Sequence, residues 1–370
     1  MPVRWGIMGT ATIADSVQQA MADAPSAEPV AIASRTVEKA RAWADERGMP
    51  KAYGSYAELL TDDEIDAVYI PLPTTMHIEW VVKAAEAGKH ILVEKPVGTN
   101  EAEVATMTAA CAKAGVHFMD NVMFMHNERL AAIAEAIPAI GDVRRVTACA
   151  GFMAAQEFLE GDTRDIRTQA SADPLGCLGD VGWYNIRTIM FAKGWALPTY
   201  VTAHALDVNE EGVVLTMAGI LGYEDSIATF DCGFDAPRAQ LAEIVGTKAT
   251  ISWCVHEHPP CAFALPRSVH PSIHPSIHPS IHPSIHPSIR CSCGFVLCVV
   301  RDGDRVNVSD RAALYRSTGG RFVSMTDIGM AGMGSSALTT RQSAASPSAS
   351  LAIRSAAKNL ALTRQRLRCR

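Results

Sequence analysis

Short apolar runs and longer stretches with helical spacing follow one another through the first 120 residues of the chain. Residues 3–8 form an apolar run of β-formers closed at once by Gly9, and the pattern from 13 to 24 has the period of an amphipathic helix. The same alternation predicts further strands over 30–33, 67–70, 91–93 and 117–119, and helices over 37–47, 56–60, 78–87 and 101–114. Gly88 and Gly115 follow two of these helices, where a left-handed C-cap is wanted. Strands alternating with helices at this spacing predict an α/β fold, with a Rossmann-type doubly wound parallel sheet and right-handed crossovers. Ligands of such a sheet lie beyond the C-terminal ends of its strands, so the chemistry is sought there. Further along, strands over 143–151, 200–204, 213–219, 227–231, 240–245 and 249–253 predict an α+β domain whose mostly antiparallel open sheet is covered by helices on one side. The expected division is a first domain over 1–122, a second over 123–255, a low-complexity segment over 256–290 and an atypical C-terminal region over 291–370.

The turn after the first strand reads Gly9-Thr10-Ala11-Thr12-Ile13-Ala14, which fits a dinucleotide fingerprint with Ala at its second and third glycine positions. Gly9 permits the tight turn, Ala11 is small enough for a pyrophosphate to approach, and Ala14 lets the helix pack close to the sheet. The helix N-terminus then offers unpaired amides and a positive dipole to the phosphates. A plain tight turn is the competing reading of this motif. At the end of the second strand stand Ser34 and Arg35, where NAD sites usually carry an acid for the ribose 2'-hydroxyl. A hydroxyl beside a guanidinium suits a 2'-phosphate, so NADP is favoured, with NAD as the alternative and a solvated loop as the bland reading of Arg35.

Two more strand ends carry a recognisable pattern. The stretch "AVYIPLPTTMHIEWVVKAAEAGKHILVEKP", ending in Glu94-Lys95-Pro96, closely resembles the glucose-fructose oxidoreductase / inositol dehydrogenase / rhizopine-catabolism family of NAD(P)-dependent oxidoreductases. Within it the resemblance leans to the branch of dimeric dihydrodiol dehydrogenase and NADP-dependent D-xylose dehydrogenase, and covers roughly residues 3–250. It implies that Lys95 lies beside the nicotinamide ribose and the reacting carbinol. There a partly buried ammonium orients the hydroxyl and stabilises developing negative charge. Glu94 reads as a structural partner that fixes the loop. The loop residues Pro71, Leu72, Pro73, Thr74 and His77 match the family segment near the cofactor, with a helix-capping role as the other reading of His77.

The segment "DPLGCLGDVGWYNIR" resembles the family's Asp-x-Gly-x-His/Tyr signature, here Asp180-Val181-Gly182-Trp183-Tyr184. Many relatives have His last; a Tyr there resembles the dihydrodiol and xylose dehydrogenase branch. A phenol becomes a usable base only where a positive charge stabilises the phenolate, and Lys95 is the candidate for that charge. Tyr184 is therefore expected to be the general acid/base, with Lys95 its electrostatic partner and Asp180 holding substrate hydroxyls. An aromatic core residue is the alternative for Tyr184. At a spacing of four, Asp180 and Tyr184 share one helix face. His126 and Asn127 are expected within reach of the pocket, and Met123, Phe124 and Met125 in the core. The resemblance also implies a homodimer formed through the open face of the second sheet.

Composition adds limits. The chain has 370 residues, is 48% hydrophobic and carries a net charge of -6. That mild acidity argues against nucleic acid as a partner, because phosphate contacts need a positive face. No apolar stretch reaches the roughly 20 residues of a membrane helix. The opening residues already read as a strand, so no leader is expected, and the ten irregularly spaced Cys suit a reducing, cytoplasmic setting. Cys291, Cys293 and Cys298 lack a matching second pair, and no metal is expected. Residues 270–289 are five copies of His-Pro-Ser-Ile, in which Pro forbids the helix that would align the His side chains. The stretch 331–370 has seven basic residues and no acid, leaving 26 basic against 39 acidic residues in 1–330. The perfect repeat and the loss of acids after Asp327 raise an insertion with an altered reading frame or splice boundary, which sequencing the transcript decides.

The expected function is NADP-dependent hydride transfer between a sugar or cyclic diol carbinol and the nicotinamide, with D-xylose oxidised to its lactone or a trans-dihydrodiol as branch-level candidates. A non-catalytic NADP-binding regulator of the same fold is the rival from another class.

Overall fold

The computed structural model describes residues 1–254, 298–301 and 304–307. Its first unit alternates strands β1 (Val3–Met8), β2 (Ala27–Ala33), β3 (Lys51–Tyr53), β4 (Ala67–Ile70), β5 (His90–Glu94) and β6 (Phe118–Asn121) with helices α1 (Thr12–Asp23), α2 (Val37–Glu46), α3 (Tyr56–Leu60), α4 (Thr74–Glu86) and α5 (Glu101–Ala114). All strand pairs are parallel, in the order β3-β2-β1-β4-β5-β6. The order reverses between β1 and β4, which opens the crevice where such sheets take their ligands. The strands read as continuous apolar runs because helices cover both faces: Val68, Tyr69 and Ile70 are wholly buried. β3 is the one strand of this sheet that the sequence pattern does not predict. It is a three-residue edge strand, half-buried throughout, with no alternation to betray it.

After β6 come a 3-10 turn (Met123–His126), helix α6 (Glu128–Ala136) and the second sheet. That sheet comprises β7 (Val143–Met153), β8 (Tyr200–Val208), β9 (Val214–Gly222), β10 (Ile227–Gly233), β11 (Asp235–Gly246), β12 (Ala249–Cys254), β13 (Cys298–Arg301) and β14 (Asp304–Asn307). Its order is β14-β13-β12-β11-β7-β10-β9-β8, antiparallel except between β7 and β10. Helix α7 (Gln156–Leu159) follows β7, and α8 (Trp183–Ala192) packs across β7 and β10. Strand β10 alternates as a one-sided sheet requires, with Ala228, Phe230 and Cys232 buried and Ile227 exposed.

Two pieces of the C-terminal region expected to be atypical thus extend this sheet: β13 pairs with β12 from Ser252↔Cys298 to Ala249↔Arg301. Asp302-Gly303 between β13 and β14 is a strong hairpin signal in the sequence, masked there by the unusual composition around it. The His-Pro-Ser-Ile repeat, Cys291, Cys293 and the basic stretch lie outside the described residues. Among the described residues no helix is long and apolar enough to cross a membrane, and no group of three metal-ligating side chains is found. One apolar core runs without a break from Val93 and Val97 beside the first sheet to Tyr184 and Ile186 of α8, so the two units meet along a packed seam.

Candidate active site

The turn after β1 has the geometry expected of a phosphate cradle. Gly9 has φ +120°, a conformation that side chains with a Cβ avoid, and a Cβ there would come within 3.1 Å of Leu72. Ala11 precedes α1 without a side-chain cap, which leaves the first amides of the helix for a ligand. Ala14 is fully buried against the sheet. Thr10 and Ile13 are half-buried along the same turn. Ser34 is buried and its amide donates to Tyr53 O at 3.2 Å, while Arg35 is exposed just beyond β2. The sequence reading missed Tyr56, whose hydroxyl lies 3.7 Å from the position a Gly9 Cβ would take and whose phenol feels the Arg35 charge. Its ring stands edge-on to Trp80 at 5.0 Å. These residues fit an NADP-type nucleotide, with a glycine where the backbone must approach and an exposed guanidinium just beyond β2.

Pro71 and Leu72 are buried, Pro73 precedes α4, and Thr74 opens that helix. His77 differs from the expected ligand contact. Its ring is fully buried, with Nδ1 3.0 Å from Pro96 O and 3.2 Å from Val97 O, and Nε2 2.8 Å from Leu72 O. The ring is wedged between the loop after β4 and the loop after β5, and, kept neutral by burial, it donates its one N–H to a carbonyl of one of them. Glu94 is a structural partner as expected: Tyr69 Oη and Asn121 Nδ2 each donate to its Oε1 at 2.6 Å.

Lys95 follows Glu94 and reaches across the seam. Its Nζ donates to Asp180 Oδ1 at 2.7 Å and to Asp180 O at 2.8 Å, and stands 5.0 Å from the Tyr184 ring centre. The Lys95 side chain is only 12% exposed. Burial works against its charge, but Asp180, Tyr184 and Glu94 more than offset that, so Lys95 is held above its ordinary value and stays cationic. Asp180 is not on a regular α-helix. It sits in a π-type turn, Leu178–Gly182, that leads into α8. Such wide turns favour functional positions because they turn side chains and carbonyls out of the regular ladder.

Tyr184 is 6% exposed and packs on Phe124 at 6.0 Å between centroids. Lys95 lowers its pKa as expected, yet the net direction is upward because burial is the larger effect, with Asp180 and Glu94 adding to it. Two charged neighbours were not anticipated. Arg167 Nε lies 3.2 Å from Asp180 Oδ1, and Asp173 is buried against Gly179, 6% exposed. Asp173 opens the very segment that carries the Asp-x-Gly-x-Tyr signature, so its position in the sequence was available as a signal; Arg167 had none. His126 is half-buried with its pKa lowered by burial, and Asn127 caps α6 by accepting from Arg129 N at 2.8 Å, a structural duty. Phe124 is buried as expected, but Met123 is 46% exposed because the 3-10 turn swings it away from the core.

Residues 3–122 match the model of an oxidoreductase family with an NAD-binding Rossmann fold. D-xylose 1-dehydrogenase (NADP(+)) 2 of Haloferax volcanii is 36% identical over 245 residues, 66% of this chain and 73% of that protein. The chain belongs to the glucose-fructose oxidoreductase / inositol dehydrogenase / rhizopine-catabolism family. It is an oxidoreductase with an NAD(P)-binding Rossmann domain. Trans-1,2-dihydrobenzene-1,2-diol dehydrogenase of Bos taurus is 31% identical over 253 residues, 67% of this chain and 73% of that protein. Among solved structures, a 3-ketoreductase from Actinomadura kijaniata in complex with NADP and TDP-benzene superposes with a TM-score of 0.67, at 26% identity over 83% of each chain. Members of the family thus share with this chain both the nucleotide-binding unit and the sheet behind α8.

Proposed function

We propose that the chain uses NADP to oxidise a carbinol of a small sugar or cyclic diol, with D-xylose at C1 and a trans-dihydrodiol as the first candidates. The observation that carries this is the convergence of Lys95, Asp180 and Tyr184 from two units onto one buried point beyond the end of β5. The named activities of the Haloferax volcanii and Bos taurus relatives support the substrate classes. Gly9, Thr10, Ala11, Ile13 and Ala14 line the phosphates, Ser34 and Arg35 take the 2'-phosphate, and Pro71, Leu72, Pro73 and Thr74 border the nicotinamide end. When bound, the oxidised nicotinamide would supply the hydride acceptor. Lys95 orients the substrate hydroxyl, Asp180 accepts a neighbouring hydroxyl, and Tyr184 removes the proton as the carbonyl forms. His77 and Glu94 serve by holding the loops.

Absorbance at the reduced-nicotinamide band, with NADP and a panel of pentoses, hexoses and dihydrodiols, tests this reading. Turnover of D-xylose or a dihydrodiol is expected. Nucleotide binding without turnover on any of them would instead favour a regulator. Arg35→Ala is expected to raise the KM for NADP by roughly 10-fold to 100-fold and to leave that for NAD nearly alone, because the charge-assisted bonds to the extra phosphate are lost.

We divide the nucleotide unit from the substrate unit at 122/123 and keep 256–290 as a low-complexity segment, while β13 and β14 of the region 291–370 belong to the second sheet. A homodimer through the open sheet face is supported by Tyr200, Ile220, Ile227 and Leu241, exposed on the side away from α8. A cytoplasmic location is supported by Cys111, Cys149, Cys177 and Cys232, all free thiols.

A further inference from the structure

The segment before the π-turn is fastened to the first turn of α4. Thr75 N donates to Ala172 O at 3.1 Å, and the Thr75 hydroxyl donates to Ser171 O at 2.9 Å. Asp173 comes next and is buried. The Thr74 hydroxyl bonds its carboxyl, yet Oδ1 has no hydrogen-bond partner among the described residues. A Cβ on Gly179 would lie 3.2 Å from that oxygen and 3.1 Å from the Pro96 ring. Gly179, the residue before Asp180, is thus packed closely against both the Asp173 carboxyl and the Pro96 ring of the loop that carries Lys95, with room for no side chain. A second buried carboxyl is costly there, and the proposed proton transfer makes no direct use of it.

We propose that Asp173 is a positioning residue of the reaction, whose charge sets how Lys95 is shared between Asp180 and the Tyr184 phenol. The inference rests on the reading of Tyr184 as acid/base given above. The charged groups facing Asp173 are Lys95 from the loop after β5, Asp180 from the π-turn and Arg167 from the 3-10 turn Ile166–Thr168, with Thr74 of α4 as its neutral partner. Burial and then Asp180 disfavour its ionised form, while Lys95, Thr74 and Arg167 favour it, and the balance pushes the carboxyl up to about 7. Protonated, Asp173 leaves the Lys95 charge to Asp180 and the phenol. Ionised, it adds a negative charge to the cluster, cancels part of the field of Lys95 at Tyr184 and makes the phenol harder to deprotonate.

The test compares the pH dependence of kcat for NADP-dependent oxidation in the wild type, Asp173→Asn and Asp173→Glu. Asparagine keeps the shape and removes the titration. The wild-type profile is expected to show an inflection near neutrality that the Asn variant lacks, with its rising limb moved to lower pH by on the order of one unit. The Glu variant should regain an inflection. Superimposable wild-type and Asn profiles would overturn the proposal, since a purely structural role moves stability and not the titration. A second measurement needs no turnover. The side-chain NMR signal of Lys95, assigned with Lys95→Gln, should shift through a midpoint near neutrality in the wild type and not in Asp173→Asn. Absence of that midpoint also overturns the proposal. Its presence in a protein with no turnover on any substrate would count against the dehydrogenase reading alone.

Discussion

Replacing Tyr184 by Phe is expected to lower kcat by about a thousandfold while the protein still binds NADP, the scale of removing a general acid/base. The substitution keeps the ring and hence its packing on Phe124 at 6.0 Å and its place under the Lys95 ammonium at 5.0 Å. Only the hydroxyl is lost, so a large effect on kcat without a matching loss of nucleotide affinity assigns the proton transfer to that oxygen. Steady-state rates and fluorescence titration of NADP, on the same samples, separate the two. The pH profile adds a direction. Burial holds the Tyr184 pKa above its ordinary value, so oxidation should still be gaining rate on the alkaline side. In the Phe variant that rising limb disappears. A variant that retains most of its kcat would make Tyr184 a core aromatic residue and nothing more.

Arg187→Met is expected to cost about 3–5 kcal/mol of stability, because it strands a buried carboxylate. Arg187 of α8 forms an ion pair with Asp120 of β6, and each side chain is only 7% exposed. The Arg187 guanidinium also lies 5.7 Å from the Trp195 ring centre. Arg187 lies three residues beyond Tyr184 in α8, so this pair fastens the helix to the first sheet next to the residue that carries the proposed reaction. Chemical denaturation of Arg187→Met, Asp120→Leu and the double variant checks the argument. The double variant should recover at least half of the loss, since a buried pair exchanged for apolar groups is often neutral. No recovery would mean that Arg187 is held by its other neighbours and not by Asp120.

What the sequence made legible was local. Glu94-Lys95-Pro96 follows a strand that the hydrophobic period predicts, and Asp180-Val181-Gly182-Trp183-Tyr184 is a compact signature within five residues. The nucleotide turn was legible for the same reason, since Gly9, Ala11 and Ala14 act through the backbone they occupy. Contacts made by distant residues were not. Asp120 and Arg187 are 67 residues apart, and nothing in either neighbourhood marks them as partners. His77 reads in sequence as a ligand contact or a helix cap, and its ring faces three carbonyls, because a His one turn into a helix looks the same in sequence whichever way it points. The spacing of Asp180 and Tyr184 suggested a regular helix face; the π-type turn that replaces it has no periodic signature over five residues. For Tyr184 the sequence points to Lys95 as a neighbouring charge, but not to the burial that outweighs it, a quantity that only the packed seam supplies.

Asp180 holds Lys95 twice, once through its carboxylate and once through its main-chain oxygen. The second grip belongs to every amino acid. Changing the residue at position 180 would therefore alter how much negative charge surrounds the ammonium while leaving one of its two anchors in place. Where the cation sits and how strongly it is neutralised are thus separate traits in this scaffold. Such a separation lets the charge of the site drift toward new substrates without first losing the lysine's location.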